Sequence, residues 1–96
     1  MINTKQRAYL RSLAQTLTPI FQVGKNGVTE ALIKDLSDAL EARELIKITL
    51  LNTVPYDKKE ISQEIAEKTN SEFVQLVGNK LTLYRESQDN HKIELP

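Results

Sequence analysis

The sequence lacks cysteine, and its 96 residues include only one histidine and three glycines. Without cysteine the chain has no disulfide bonds and no thiolate metal sites. No apolar run approaches the roughly 20 residues that a helix needs to span a bilayer, and no signal-peptide stretch follows Met1. These absences predict one cytoplasmic domain with a single modest core and no membrane partner.

Acidic residues are missing from the first part of the chain. Up to Gly27 the sequence contains Lys5, Arg7, Arg11 and Lys25 but no Asp or Glu. Because the whole chain is neutral, the remainder carries a net charge of −4. This asymmetry predicts one basic face with an acidic back. A chance fluctuation among four residues is the alternative interpretation.

The residue sets of enzymes are also missing. The only histidine, His91, lies in the polar C-terminal segment, where a solvated side chain is expected rather than a general base. No carboxylates cluster beside a nucleophile. A nucleotide-binding loop needs a longer glycine spacing and a Ser or Thr after the lysine, whereas Asn26 follows Lys25 here. We therefore expect a protein that is not an enzyme and that has no cofactor, metal or small-molecule substrate.

The apolar periodicity predicts three helices and four strands in the order α-β-α-β-α-β-β. The helices are expected near residues 4–16, 29–43 and 57–69, and the strands near 19–23, 45–51, 72–77 and 80–84. Gly78-Asn79 is a two-residue hairpin signal between the last two strands. The order predicts an α/β fold with a four-stranded mixed sheet and helices packed on it. Residues 1–85 are expected to form the domain, and residues 86–96 a polar, flexible tail.

The most informative segment is the loop Gly24-Lys25-Asn26-Gly27, which connects the first predicted strand with a helix that Thr29 can cap. Glycine permits a positive φ, and either glycine is a candidate for it. The N-terminus of a helix presents unpaired N–H groups and a partial positive charge. With Lys25 at its tip, the loop predicts a phosphate site. The alternative, from the loop alone, is a tight turn without a ligand.

The loop and the acid-free segment together favour RNA as the ligand. A G-x-x-G loop clamps backbone nucleotides in KH domains, although it lies between two helices there. Arg7 and Arg11, one turn apart, are expected to extend the contact along the first helix, and Lys5 lies on its other flank. Lys80 joins them only if the strand order places it on that side. Since the chain has few aromatic residues, we expect RNA shape rather than base identity to be recognised.

Several segments, taken jointly and in order, resemble a known family. They are Lys5-Gln6-Arg7 with Leu10-Arg11, residues 24–29, residues 39–47, and Val77-Gly78 followed by Leu83-Tyr84-Arg85. From Thr4 to Arg85 the chain resembles a bacterial YhbY-type protein, a free-standing CRM domain (chloroplast RNA splicing and ribosome maturation). The C-terminal tail matches nothing in this pattern.

The resemblance implies an RNA-binding module with a fold similar to the C-terminal domain of translation initiation factor three. Single-domain bacterial members are linked to precursors of the large ribosomal subunit, and plant relatives carry the domain in group II intron splicing factors. It implies a non-catalytic protein, which we expect to be a monomer, bound to ribosomal RNA of that precursor. The expected RNA-binding residues are Gly24, Lys25, Asn26, Gly27, Lys5, Arg7, Arg11 and Lys80. The alternative is a protein-binding adaptor on the ribosome or an assembly factor, which uses the acidic outer face of the second helix.

Overall fold

The computed structural model describes residues 2–96 and contains, within them, three helices and four strands in the predicted order. The helices are α1 (Thr4–Ala14), α2 (Glu30–Arg43) and α3 (Lys58–Lys68), and the strands are β1 (Phe21–Val23), β2 (Leu45–Leu50), β3 (Glu72–Val77) and β4 (Lys80–Tyr84). The predicted α/β fold is confirmed, and no element ends more than two residues from its expected position. None of the helices in this part of the chain is long and apolar enough to cross a membrane.

Side-chain caps define where the first two helices begin. Asn3 precedes α1 and accepts the N–H of Gln6 at 2.8 Å, while the Gln6 side chain accepts the N–H of Asn3 at 3.0 Å. Thr29 precedes α2 and accepts the N–H of Leu32 at 3.1 Å. Such caps pair N–H groups that have no partner within the helix and typically stabilise it by about 1 kcal/mol. The Thr29 cap thus fixes the start of α2 directly behind the glycine loop.

The strands form one mixed sheet in the order β1-β2-β4-β3. β1 runs parallel to β2 across the α2 connection, and the β2–β4 and β3–β4 pairs are antiparallel. The carboxyl ends of β1 and β2 therefore meet at one end of the sheet, where Thr49 of β2 pairs with Lys80 at the start of β4. We call this the loop end of the sheet, because the connections after β1 and β2 and the β3–β4 turn all lie there.

The two faces of the sheet are covered to different extents. One face carries alternate residues of β2, such as Ile46 and Ile48, which are buried against α2 and α3 in the larger core. Leu45 points to the other face and belongs to a smaller cluster with Leu10 of α1 and Tyr84 of β4. This smaller cluster lies at the end of the sheet opposite the loop end. The rest of the second face is lined by polar residues of the strands.

The C-terminal segment 86–96 forms no helix or strand, but it lies against the domain. Five of its backbone N–H groups donate to the carboxylates of Glu41 and Glu44. The donors are Ser87, Gln88, Asp89, Lys92 and Ile93. Ile93 and Leu95 pack against the smaller cluster beside α1. These contacts differ from the loose tail expected from its polarity, because two acidic side chains at the end of α2 supply the acceptors.

Candidate functional site

The predicted phosphate loop is a tight turn at the loop end of the sheet. The Gly27 N–H donates to the Gly24 carbonyl at 2.9 Å, so residues 24–27 form a β-turn with Lys25 and Asn26 at its tip. β1 ends immediately before this turn, and α2 begins shortly after it. The structure thus contains the strand, glycine turn and helix that the sequence predicts.

The two glycines of the turn have different backbone requirements. Gly27 has a φ of +63°, and a Cβ there would lie 3.0 Å from Cγ of Pro55. A side chain at Gly27 is therefore strained both by its backbone and by its neighbour. Gly24 has no positive φ, and its Cβ would make ordinary contacts with Thr53 and Leu51 at 3.4 and 3.6 Å. Gly27 is the position at which the turn requires glycine.

The tip of the turn presents polar groups to solvent. Lys25 and Asn26 are both exposed, and no acceptor within residues 2–96 pairs with their backbone N–H groups. The N–H of Gly27, in contrast, is used inside the turn. The tip therefore offers two free N–H groups and one ammonium group, which are donors suited to a phosphate.

The three basic residues of α1 have different surroundings. Lys5 and Arg11 are exposed, and neither has a hydrogen-bond or ion-pair partner in the part of the chain that the structure describes. Arg7 is half-buried, and its Nη1 donates to the carbonyls of Phe73 and, at 3.3 Å, Val74. Both carbonyls lie on the edge strand β3, where its register with β4 shifts. Arg7 thus fastens α1 to the sheet, whereas Lys5 and Arg11 keep free charged ends.

Lys80 lies at the loop end of the sheet, on the same face as α1. It precedes Leu81 of the larger core, and its Nζ donates to Oγ1 of Thr49 at 3.1 Å. The strand order therefore places Lys80 on the side of the sheet where α1 lies, which is the condition under which it was expected to join the basic residues of that helix. Lys47 is a second lysine on this face, in register with Thr82, and it is not among the residues expected from the sequence. The available signal was its position as the single charge in an otherwise apolar strand.

Two glutamates at the end of α2 serve the tail. Glu44 is fully buried and has a φ of +67°, which is uncommon outside glycine. Burial raises the pKa of Glu44, but three tail N–H groups and His91 bond to the carboxylate and lower its pKa overall from 4.5 to about 2. His91 Nδ1 lies 3.0 Å from Glu44 Oε2, and this bond raises the pKa of His91. The expectation of a simply solvated His91 therefore misses its bond to a buried carboxylate.

The groove beside α2 holds no catalytic set among the described residues. A groove of about 580 Å³ lies between α2 and the end of α3, and the ion pair of Lys34 and Asp38, 3.2 Å long, forms part of its wall. Its lining contains no histidine. It also contains no serine or threonine paired with a general base, as a catalytic site would need. Within residues 2–96, no group of three or more His, Asp and Glu side chains is arranged to hold a metal ion.

Known proteins similar to this chain point to one family. A family model described as CRS1 / YhbY (CRM) domain matches residues 2–85. The "Probable RNA-binding protein YqeI" of Bacillus subtilis is 48% identical over 96 residues, the full length of both chains. An "RNA-binding protein" of Haemophilus influenzae is 37% identical over 95 residues, which cover 99% of this chain and 95% of the relative. The solution structure of the hypothetical protein SAV1595 from Staphylococcus aureus matches with a TM-score of 0.84 and 50% identity over the whole of both chains.

Proposed function

This chain belongs to the CRS1/YhbY (CRM) domain family, and we propose that it is a non-catalytic RNA-binding protein that acts in the cytoplasm on precursors of the large ribosomal subunit. Two relatives that match nearly its whole length are named RNA-binding proteins. The observation that carries the proposal is the exposed tip of the glycine turn, where Lys25 accompanies two N–H groups without acceptors. The ribosomal target follows from the family resemblance of the sequence motifs.

The RNA backbone is the part of the ligand that this site fits. The N–H groups of Lys25 and Asn26 and the Lys25 ammonium bind one phosphate, and the free charged ends of Lys5 and Arg11 bind others along α1. Arg7 contributes by holding α1 in place, because its guanidinium is engaged with β3. Phosphate contacts position a protein on RNA without reading its sequence. We therefore propose that the protein recognises RNA shape, and we expect it to act as a monomer.

The adaptor alternative relies on the acidic outer face of α2. Part of that face is already occupied, since Glu41 accepts N–H groups of the tail and Lys34 neutralises Asp38. This leaves a smaller acidic surface than the sequence suggests. The structure thus favours RNA over an acid-mediated protein contact.

The test is a charge reversal at the tip of the turn. Lys25→Glu removes one phosphate contact and adds repulsion, so the affinity for a short single-stranded RNA should fall about tenfold or more. The matched control is Lys59→Glu, which reverses an exposed lysine of α3. Binding is measured by fluorescence anisotropy over a series of salt concentrations, and association with large-subunit precursors is measured by sedimentation in a sucrose gradient.

The salt dependence separates the two functions. For single-stranded RNA, the slope of log affinity against log salt is about −0.7 per phosphate contact, so the three contacts of the turn, Lys5 and Arg11 contribute about −2. Lys25→Glu should make this slope shallower, and Lys59→Glu should leave it unchanged. A wild-type protein that binds precursor particles but no free RNA, with no difference between the two variants, would support the adaptor.

A further inference from the structure

A mostly polar area of the sheet face beside α1 belongs to neither hydrophobic cluster. It comprises the strand positions at the loop end of that face, which we call the open half of the sheet. These positions are Gln22, Lys47, Thr49, Gln75, Val77, Lys80 and Thr82. Alternate residues of the same strands point to the larger core, so these side chains share one face. The open half contains two lysines and no acidic residue.

The two lysines of the open half are close neighbours. Lys47 pairs with Thr82, two residues along β4 from Lys80, so Lys47 and Lys80 are diagonal cross-strand neighbours, which lie about 7–8 Å apart. Lys80 leans over β2, because its Nζ bonds to Thr49. Lys47 has no bonded partner among residues 2–96. Two lysines on neighbouring strand positions repel each other in the free protein and favour a bound anion near both.

The surroundings of these lysines provide further unused groups. A shallow depression of about 400 Å³ runs beside Thr49 and Gln22 to the start of β1. The hydroxyl of Thr82 is buried without a hydrogen-bond partner in the described part of the chain, and it lies in register with Lys47. Buried polar groups are nearly always paired, so an unpaired hydroxyl beside a lysine needs an explanation.

The first helix carries two arginines on the same face of the sheet. Arg7 bonds to the carbonyls of Phe73 and Val74 on β3. Arg11 follows Arg7 by one helical turn, so the two side chains lie on one flank of α1. Arg11 is exposed and adds a positive charge to the side of the protein that carries the open half.

We propose that the open half of the sheet is a second phosphate-binding surface, on which Lys47 and Lys80 bind the backbone of a single-stranded RNA segment that continues from the glycine turn. The inference rests on the function proposed above and adds the path that the RNA follows over the protein surface. A groove that is positive along its length and borders a sheet suits one extended strand. No aromatic side chain belongs to the open half, so stacking does not select bases there.

The test compares neutral substitutions on two faces of the protein. Lys47→Gln and Lys80→Gln, alone and combined, remove the charges of the open half, and Lys59→Gln is the control on α3. The probes are fluorescein-labelled oligouridylate and a self-complementary RNA duplex. The double variant should bind oligouridylate about tenfold more weakly, and the slope of log affinity against log salt should become shallower by about 1.4, which corresponds to two phosphate contacts. The Lys59→Gln protein should match the wild type.

Two further measurements keep the result specific. Urea unfolding checks that each variant is folded, and Lys47→Arg, which keeps the charge, should bind as the wild type does. If the double variant binds like Lys59→Gln while Lys25→Glu binds weakly, the open half is not an RNA surface although the turn is. Equal affinity for the duplex would contradict a single-stranded ligand. Absence of RNA binding by the wild type would overturn the function proposed for the whole protein.

Discussion

Arg7 of α1 and Val74 of β3 are joined by a hydrogen bond of 3.3 Å between the guanidinium Nη1 and the backbone carbonyl. A second bond reaches the carbonyl of Phe73. Phe73 and Val74 lie where the register between β3 and β4 shifts. The arginine therefore supplies hydrogen-bond donors at an irregularity of the edge strand. Arg7, which the sequence groups with the basic residues of α1, therefore holds that helix to the sheet.

This relationship predicts different effects for the two arginines of α1. Arg7→Ala should lower the free energy of unfolding by about 1–3 kcal/mol, since it removes charge-assisted bonds to half-buried carbonyls. Arg11→Ala should change it by less than about 0.5 kcal/mol, as for other exposed residues, while weakening RNA binding. Urea unfolding and RNA titration on both variants give the comparison. Equal stability of the two proteins would show that Arg7 is not needed to hold α1.

The glycine turn predicts an asymmetry between its two glycines. Gly27→Ala should lower the free energy of unfolding by about 1–2 kcal/mol, because a left-handed backbone is unfavourable for any residue with a Cβ. The clash with Pro55 at 3.0 Å adds to this cost. Gly24→Ala makes only ordinary contacts and should have a small effect on stability. A loss of RNA affinity in this variant would therefore show that the ligand approaches the backbone closely at Gly24. A larger loss of stability in Gly24→Ala than in Gly27→Ala would contradict the assignment of the strained position.

The buried carboxylate of Glu44 predicts a pH-dependent attachment of the tail. Its pKa in the folded protein, about 2, is below its usual 4.5. The ionised carboxylate therefore stabilises the fold above pH 4.5, and this contribution is lost as the pH falls from there towards 2. Glu44→Gln should lower the free energy of unfolding at neutral pH by about 1.5–3 kcal/mol, as expected for bonds to a charged acceptor. The variant should also lose less stability than the wild type between pH 4.5 and 2.

The lone histidine gives a second readout of the same contact. The bond to Glu44 raises the pKa of His91 above its usual 6.5. Protonated His91 therefore adds stability that is present below pH 6.5 and is lost as the pH rises through the folded-state pKa. An NMR titration of its ring protons should show this raised pKa in the wild type and a lower one in Glu44→Gln. The same pKa in both proteins would mean that the tail is detached in solution.

The fold was predictable because its signals are local. The last two strands match their predicted residues, since alternation and the Gly78-Asn79 turn fix both ends of the hairpin. The cap at Thr29 likewise gives the start of α2 to within one residue. Such features depend on neighbours a few positions away, so the sequence alone contains them.

The site was predictable only in part, for the same reason. The turn with Lys25 at its tip is local and was identified. The partners of Arg7 are 66 and 67 positions away, and those of Glu44 are more than 40, so no spacing rule reveals them. Lys47 stands out in the sequence as the single charge of its strand, but its position beside Lys80 follows only from the strand register. These contacts depend on which distant residues the fold brings together, and the residue types alone do not determine that.

The tail owes its position to two carboxylates instead of to a neighbouring strand. A neighbouring strand offers backbone acceptors at regular intervals along its length, whereas two fixed side chains accept only at set points. Ser87, Lys92 and Ile93 donate to Glu44, whereas Gln88 and Asp89 donate to Glu41, so the segment passes from one carboxylate to the other and back. Substitutions at the exposed positions of this span should be tolerated, but the insertion or deletion of a single residue would put one carboxylate out of reach. The length of the segment, more than its composition, is thus what evolution is expected to preserve.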